Sequence, residues 1–263
     1  MASLLKAAWR YRGFVASSIL NDYRSRLARS KLGTLWVVLQ PLAQAFIFAV
    51  VLSQVLAARL PDADNKYAFV VYLLSGLLCW SLFAEIVQRC LTVFIDNGSL
   101  LKKLQFPRIT LPVIVAGTAL VGNVALLAVL LVLIPLTGIG LHYAIMWFPV
   151  MLMLTMGLAL GIGLLLGTLN VFMRDIGQFM TVFMQFWFWM TPVAYPSAIV
   201  PAGFKRVLEA NPVSHLVMGY HDIFLYGRSP AGHLVQPAVA MVLMLIVALV
   251  LFRRASPEIV DAL

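Results

Sequence analysis

The chain has 263 residues, of which 62% are hydrophobic and 11% are charged. Soluble domains average about 25% charged residues, and disordered chains are poor in apolar residues, so this composition excludes both classes. The formal net charge is +9, which in so apolar a chain is typical of the cytoplasmic loops of a membrane protein rather than of a nucleic-acid-binding surface. We therefore expect an integral membrane protein that binds no nucleic acid.

The amino-terminal segment 1–33 predicts an amphipathic helix that lies on the membrane surface. Leu20, Tyr23 and Leu27 recur along one face, which can enter the headgroup layer. Cations that can meet lipid phosphates stand off this face: Arg24, Arg26, Arg29 and Lys31. The pattern leaves open whether the segment only fixes orientation or also acts on a substrate.

The region 34–252 predicts six membrane-spanning helices, because about 20 mostly apolar residues cross a hydrocarbon core. The stretch 109–173 contains no charged residue and is too long for one span, and the Pro/Gly-rich turn at 135–140 divides it into two. The predicted spans are 34–57, 68–88, 111–135, 144–170, 176–196 and 233–252. Most of the 19 Lys and Arg residues fall on the side of the amino terminus, so both termini are predicted to be cytoplasmic.

The segment between the second and third spans predicts a short amphipathic helix at 99–105. Ser99 can cap its amino terminus, and Pro107 prevents its continuation. Leucines and lysines fall on opposite faces: Leu100, Leu101 and Leu104 on one, Lys102 and Lys103 on the other. Such a helix can be a docking surface for a cytoplasmic partner, or it can lie flat on lipid.

The fifth span is rich in aromatic residues. Phe179, Phe183 and the pair Phe186 and Trp187 lie along one helical face, and Tyr195 follows them. Aromatic faces suit sugar rings on a substrate path, whereas Trp and Tyr also populate the membrane interface and Phe also packs against lipid. In the fourth span, two G-x-x-x-G patterns, at 157–161 and 163–167, predict close contact with neighbouring helices.

The outer segment 197–232 is long for a connection and is partly apolar. It predicts two short helices at the outer interface, which form either an exit gate or a structural lid. His215, His221 and Asp222 cluster there, and an enzyme could use them for acid–base chemistry, but no nucleophile accompanies them.

The sequence contains no G-x-x-x-x-G-K-[ST] phosphate loop, no H-E-x-x-H and no C-x-x-C. We expect no catalytic residue, no metal and no cofactor in this chain. Glu85 is the one ionisable residue near hydrocarbon in the predicted spans, which disfavours ion-driven transport. Uphill transport would therefore draw its energy from another subunit.

Several segments together resemble type-2 ABC exporter permeases. They are NDYRSRLARSKLGTLW (21–36) with LQPL (39–42), NVFMRDI (170–176) with TPVAY (191–195), and NPVSH (211–215) followed by Tyr220 and Gly227. The likeness extends over almost the whole chain and is strongest to permeases that export O-antigen, capsular polysaccharide or teichoic acid.

The resemblance implies an all-helical permease domain over 1–263, with an interfacial helix at 1–33, six spans at 34–252 and a cytoplasmic tail at 253–263. It implies a homodimer with two cytoplasmic ATPase subunits, which would bind ATP and magnesium. The helix at 99–105 would be the coupling helix that docks on the ATPase, and the outer segment would form gate helices.

The function implied is export of a lipid-linked cell-surface polysaccharide across the bacterial inner membrane. Phe179, Phe183, Phe186, Trp187 and Tyr195 would then line its path. Its lipid diphosphate would meet charge-assisted donors: Arg24, Arg26, Arg29 and Lys31. The alternatives are an exporter of another substrate class, a membrane-embedded acyl- or glycosyltransferase acting on lipid-linked sugars, and a passive channel.

Overall fold

The computed structural model describes residues 11–28, 39, 43, 68–103, 106–197 and 200–259. Within these ranges every regular element is a helix, and no β-strand occurs. The prediction of an all-helical chain is therefore confirmed for this part. The first predicted span, 34–57, lies outside the described residues apart from positions 39 and 43.

The helices follow one another along the chain as α1 (Arg12–Ala28), α2 (Ala68–Asp96), α3 (Gly98–Lys103), α4 (Thr110–Leu136), α5 (Phe148–Phe172), α6 (Asp175–Trp189), α7 (Ala202–Ala210), α8 (Pro212–His221) and α9 (Val235–Ala255). Short turns of other helix types connect some of them: a 3₁₀ turn at Tyr143–Trp147, a π turn at Asp222–Tyr226 and a 3₁₀ turn at Ala231–His233.

Four of the described helical stretches are long and apolar enough to cross a membrane: Ala68–Asp96, Thr110–Leu136, Tyr143–Phe172 and Ala231–Ala255. They coincide with the second, third, fourth and sixth predicted spans. The chain is thus a multi-pass membrane protein, and the total of six spans stays a prediction.

The predicted fifth span, 176–196, is too long. Its helix, α6, ends at Trp189 after 15 residues, which is about 22 Å at 1.5 Å per residue and short of the ~30 Å hydrocarbon core. Pro192 gives the reason, because its ring would clash with the carbonyl of Phe188 four residues earlier if the helix continued. Turns occupy 190–195 instead.

Helix α2 is the centre of the bundle. Its side chains are buried along most of its length, and it packs against α4, α5, α6 and α8. Two buried amides from neighbouring helices donate to its backbone: Asn123 Nδ2 to the carbonyl of Leu78, and Asn170 Nδ2 to that of Leu91, both at 2.8 Å. These bonds join α4 and α5 to α2 where water cannot supply partners.

The two G-x-x-x-G patterns of α5 face different helices. A Cβ added at Gly167 would overlap the backbone carbonyl of Cys90 on α2, and Gly163 faces the side chain of the same cysteine. A Cβ added at Gly161 would lie 3.0 Å from the backbone nitrogen of Leu245 on α9. The predicted close contacts are therefore confirmed, and the absence of side chains lets α5 lie between α2 and α9.

Replacing Gly167 with Ala is expected to lower the free energy of unfolding by about 1–3 kcal/mol, because the added methyl group overlaps backbone that cannot rotate away. Gly203→Ala on α7 is the matched control, since nothing lies within 4 Å of its added Cβ and Ala favours a helix. Thermal unfolding of the detergent-purified variants measures the effect. Equal melting temperatures for the two variants would contradict the close α2–α5 contact.

Candidate functional site

The aromatic residues of α6 form two sets. Phe179 and Phe186 are exposed, with 65% and 64% of their surface accessible. Phe183 is half-buried and contacts Phe179 at 5.8 Å and Trp187 at 5.4 Å between ring centroids. Two methionines fill the opposite, buried side of the helix. Helix α6 thus presents an aromatic surface on one side while its other side packs in the bundle.

Trp187 joins α6 to Asn211, the residue between α7 and α8. Its Nε1 donates to Oδ1 of Asn211 at 3.1 Å, and Nδ2 of Asn211 donates to the hydroxyl of Thr191 at 3.1 Å. That hydroxyl donates in turn to the carbonyl of Trp187 at 2.8 Å, which closes a ring of three hydrogen bonds. Oδ1 of Asn211 also accepts from the backbone nitrogen of Val213 and so caps α8. Trp187 therefore has a structural contact that sequence reasoning did not anticipate.

Tyr195 lies in the turn that follows α6, apart from the aromatic series. Its hydroxyl donates to the carbonyl of Trp189 at 2.6 Å. The hydroxyl of the buried Tyr72 on α2 contacts two carbonyls, of Pro192 at 2.9 Å and of Tyr195 at 2.7 Å. The ring of Tyr72 stacks on that of His221, with 3.7 Å between centroids. These contacts tie the turn to the centre of the bundle.

The histidines of α8 do not pair with Asp222 as the sequence suggests. Burial lowers the pKa of His221 to about 3, so its imidazole is neutral near pH 7. Asp222 instead approaches His233, with 3.4 Å between its Oδ2 and Nε2 of the imidazole. The Nδ1 atoms of His233 and His215 are 3.3 Å apart. Among the described residues, no group of three His, Cys, Asp or Glu side chains is placed to hold a metal ion.

At the opposite end of the bundle, an ion pair joins α1 to α2. Nη2 of Arg89 donates to Oδ2 of Asp22 at 2.5 Å, and its Nη1 lies 3.6 Å from the Glu85 carboxylate one turn earlier. A cleft of about 380 Å³ opens beside this pair, and residues of α1, α2, α3 and α4 line it, among them Phe14, Ser18, Asp96 and Leu100. Helix α1 and the short helix α3 therefore share one cavity.

The predicted docking residues do not all reach the surface. Helix α3 begins at Gly98, so Ser99 lies inside it and is not its cap as predicted. Ser99 and Lys102 are exposed, Leu100 is half-buried and Leu101 is buried in the core. Two further predicted positions lie outside the described part: the side chain of Lys103, and Leu104.

Of the four cations predicted to meet a lipid diphosphate, Arg24 is exposed on α1. The other three fall outside what the structure describes: the side chain of Arg26, and residues Arg29 and Lys31.

With this geometry in place, comparisons with known proteins identify the family. A family model described as ABC-2 type transporter matches residues 16–225, from α1 to the π turn after α8. The chain belongs to the ABC-2 type transporter family. The resemblance to type-2 ABC exporter permeases is thereby confirmed.

Curated ABC-2 relatives cover most or all of the chain. The O-antigen export system permease protein RfbA of Myxococcus xanthus is 28% identical over 266 residues, 100% of each chain. A protein of the same name from Klebsiella pneumoniae is 27% identical over 209 residues, 78% of each chain. The polysialic acid transport protein KpsM of Escherichia coli is 24% identical over 207 residues, 77% of this chain and 78% of the relative.

Sequence reasoning on this ABC-2 chain missed Tyr72, Asn211 and Asp22 as contact residues. Asn211 carried a local signal, because Asn followed by Pro is typical of the cap and first residue of a helix. Tyr72 and Asp22 carried none, since their partners lie on elements far away in the sequence.

Trp187→Phe is expected to lower the free energy of unfolding by about 1–2 kcal/mol, because it keeps the ring contact but removes the donor to Asn211. Phe186→Leu is the matched control on the same helix, since this exposed ring makes no such bond. Thermal unfolding of both purified variants measures the difference. If Trp187→Phe melts with the control, the three-bond ring does not hold α6 to α8.

Proposed function

We propose that this chain is the transmembrane permease subunit of an ATP-driven exporter that moves a lipid-linked, O-antigen-like polysaccharide from the cytoplasm to the outer side of the bacterial inner membrane. The full-length match to a permease named for O-antigen export carries this proposal. The chain lacks a phosphate-loop motif, so ATP and magnesium would bind a separate cytoplasmic ATPase subunit, two of which would serve a permease homodimer.

The exposed residues of α3 support its assignment as the coupling helix. Ser99 and Lys102 face outward, and the half-buried Leu100 adds an apolar contact. The buried Leu101 would fasten α3 to its own chain and not to the ATPase. A polar and charged rim around a small apolar contact suits a cytoplasmic partner that must bind and still move.

Helix α2 offers a mechanical link from α3 to the aromatic surface of α6. It ends one residue before α3 and is 29 residues long, about 43 Å. Its middle contacts α6 through the ring pairs Trp80–Phe188, at 5.5 Å, and Phe83–Trp187, at 5.2 Å. A tilt of α3 on nucleotide binding would therefore move α6 through rigid, packed helix.

The exposed aromatic rings of α6 suit passage of a glycan. Phe179 and Phe186 would offer flat apolar faces to successive sugar rings, with the amide of the exposed Gln185 beside them. Contacts of this kind are weak individually, and weak repeated contacts let a polymer advance. The lipid diphosphate would bind near the cytoplasmic leaflet, where Arg24 is exposed and Arg26, Arg29 and Lys31 follow.

A contact between the ends of two helices supports cytoplasmic termini on the side of α3. Nη1 of Arg108, just before α4, donates to the hydroxyl of Ser256, just after α9, at 3.3 Å. The loop that holds α3 and the carboxyl-terminal tail therefore share one end of the bundle. Basic residues concentrate there, as the positive-inside rule requires of a cytoplasmic face.

Lys102→Glu together with Lys103→Glu is expected to weaken binding of the co-expressed ATPase subunit about fivefold or more and to lower its stimulated ATPase activity, because charge reversal at an interface rim repels the partner. Lys205→Glu with Arg206→Glu, exposed on α7 at the other end, is the matched control. Co-purification and ATP hydrolysis measure both effects. Unchanged binding and hydrolysis in the α3 variant would remove α3 from the coupling role.

The same preparation separates export from the enzyme and channel alternatives. Proteoliposomes that contain the permease and its ATPase should move lipid-linked polysaccharide only when ATP is present. Transport by the permease alone, or chemical change of the glycan by the permease alone, would refute the proposed function.

Phe179→Ala with Phe186→Ala is expected to slow polysaccharide export about fivefold or more, since each of the two lost stacking contacts costs about 0.5–1.5 kcal/mol. Leu243→Ala with Val239→Ala is the control, because both are large apolar residues exposed on a different helix, α9, with 56% and 54% of their surface accessible. Surface polysaccharide and the yield of folded protein are measured side by side. Equal export by the two variants would assign the rings to lipid contact.

A further inference from the structure

Three titratable side chains form a chain of contacts across the outer end of the molecule. Nε2 of His215 lies 3.1 Å from the backbone carbonyl of Glu209, and its Nδ1 lies 3.3 Å from Nδ1 of His233. Nε2 of His233 lies 3.4 Å from Oδ2 of Asp222. These residues come from α7, α8, the π turn and the 3₁₀ turn before α9. The contacts thus bridge four of the described elements between α6 and α9.

The number of protons that these three contacts require follows from which atoms can only accept a hydrogen bond. A carbonyl only accepts, so Nε2 of His215 must donate to Glu209. The contact between the two Nδ1 atoms needs one proton, and so does the contact between His233 and Asp222. Three protons are therefore required, whereas two neutral imidazoles supply two.

We infer that the His215–His233–Asp222 chain is a binding site for one additional proton, and that the protonated chain fastens α7 and α8 to the start of α9. With the proton on the carboxyl group, Asp222 donates to His233, His233 donates to His215, and His215 donates to the Glu209 carbonyl. His215, His233 and Asp222 are then all uncharged, and each of the three contacts contains one hydrogen. Without the proton, one of the three contacts sets two lone pairs against each other.

The surroundings favour retention of the proton up to about pH 6. Burial raises the pKa of Asp222 to about 6, although the exposed Arg228 opposes this shift. About a fifth of the Asp222 side chain stays accessible, so protons can exchange with solvent.

The other titratable groups nearby act in identifiable ways. His221 is buried and neutral, His142 packs against Gly227 beyond the π turn, and the guanidinium of Arg228 lies over the ring of Tyr226 at 5.3 Å. The carboxylate of Glu209 is exposed on α7, and its backbone carbonyl alone takes part in the chain.

The sign of the pH dependence follows from the carboxyl group. Its ordinary pKa of 3.8 is raised to about 6 in the folded protein, so between these values the folded state holds a proton that the unfolded state has released. The stabilisation that this proton gives the folded state is complete below about pH 4. It declines as the pH rises to about 6 and is lost at higher pH.

Asp222→Asn tests the inference, because the amide can donate to His233 and completes all three contacts without an added proton. Thermal unfolding of the full chain is measured from pH 4 to pH 8. The melting temperature of the unchanged protein is expected to fall by roughly 3 °C relative to Asp222→Asn between pH 4 and pH 6.5, and to run parallel to it above. Parallel curves over the whole range overturn the inference.

His142→Gln is the matched control, since it removes a nearby imidazole that takes no part in the three contacts. Its melting curve should follow that of the unchanged protein. If Asp222→Asn does not fold, infrared spectra of the unchanged protein with isotope-labelled Asp give a second readout. A protonated carboxyl band should titrate near pH 6, and His233→Leu should lower that midpoint. A midpoint near 4 in the unchanged protein, or one that His233→Leu leaves in place, overturns the inference. Neither measurement depends on export.

Discussion

The early end of α6 is the constraint around which the part of this permease that contains α7 and α8 is built. A helix that stops inside an apolar body leaves carbonyls that water cannot satisfy, and each must find a donor within the protein. Hydroxyl groups supply those donors here: Thr191 to the carbonyl of Trp187, Tyr195 to that of Trp189, and Tyr72 to the turn beyond. Because Tyr72 belongs to α2, the end of α6 is fastened to the most buried of the described membrane-spanning helices, and α7 and α8 are fastened to it through Asn211.

This arrangement divides the work among the aromatic residues of one short helix. Trp187 faces inward, where a lost hydrogen bond disturbs the fold, whereas Phe179 and Phe186 face outward, where their loss leaves the packing intact. Phe179 and Phe186 are seven residues apart, which is about two helical turns, so they lie on nearly the same face of α6. Two consecutive residues of one helix therefore differ in role: Trp187 holds the structure, whereas the exposed ring of Phe186 suits the substrate contact proposed for it.

The sequence predicts those features that depend on local pattern. Four spans follow from apolar length, and the contacts of Gly161 and Gly167 follow from small residues one helical turn apart. The end of α6 could have been predicted from Pro192, which prevents the helix from continuing. The absence of charged residues up to 204 instead favoured a longer helix. Contacts such as Asp22 with Arg89 could not be predicted, because nothing local indicates which of many distant charges will meet.

The burial of Leu101 shows how amphipathic pattern alone misassigns a docking face. Its spacing from Leu100 and Leu104 predicts one apolar surface for a partner, yet α3 follows α2 after a single residue and must itself bury an apolar contact to stay in place. A coupling helix that contacted only the ATPase would move relative to its own chain when the ATPase moved. In the coupling role proposed for α3, its anchorage to its own chain through Leu101, beside the Arg89 ion pair, would pass a displacement to α2 and from there to the end of α6.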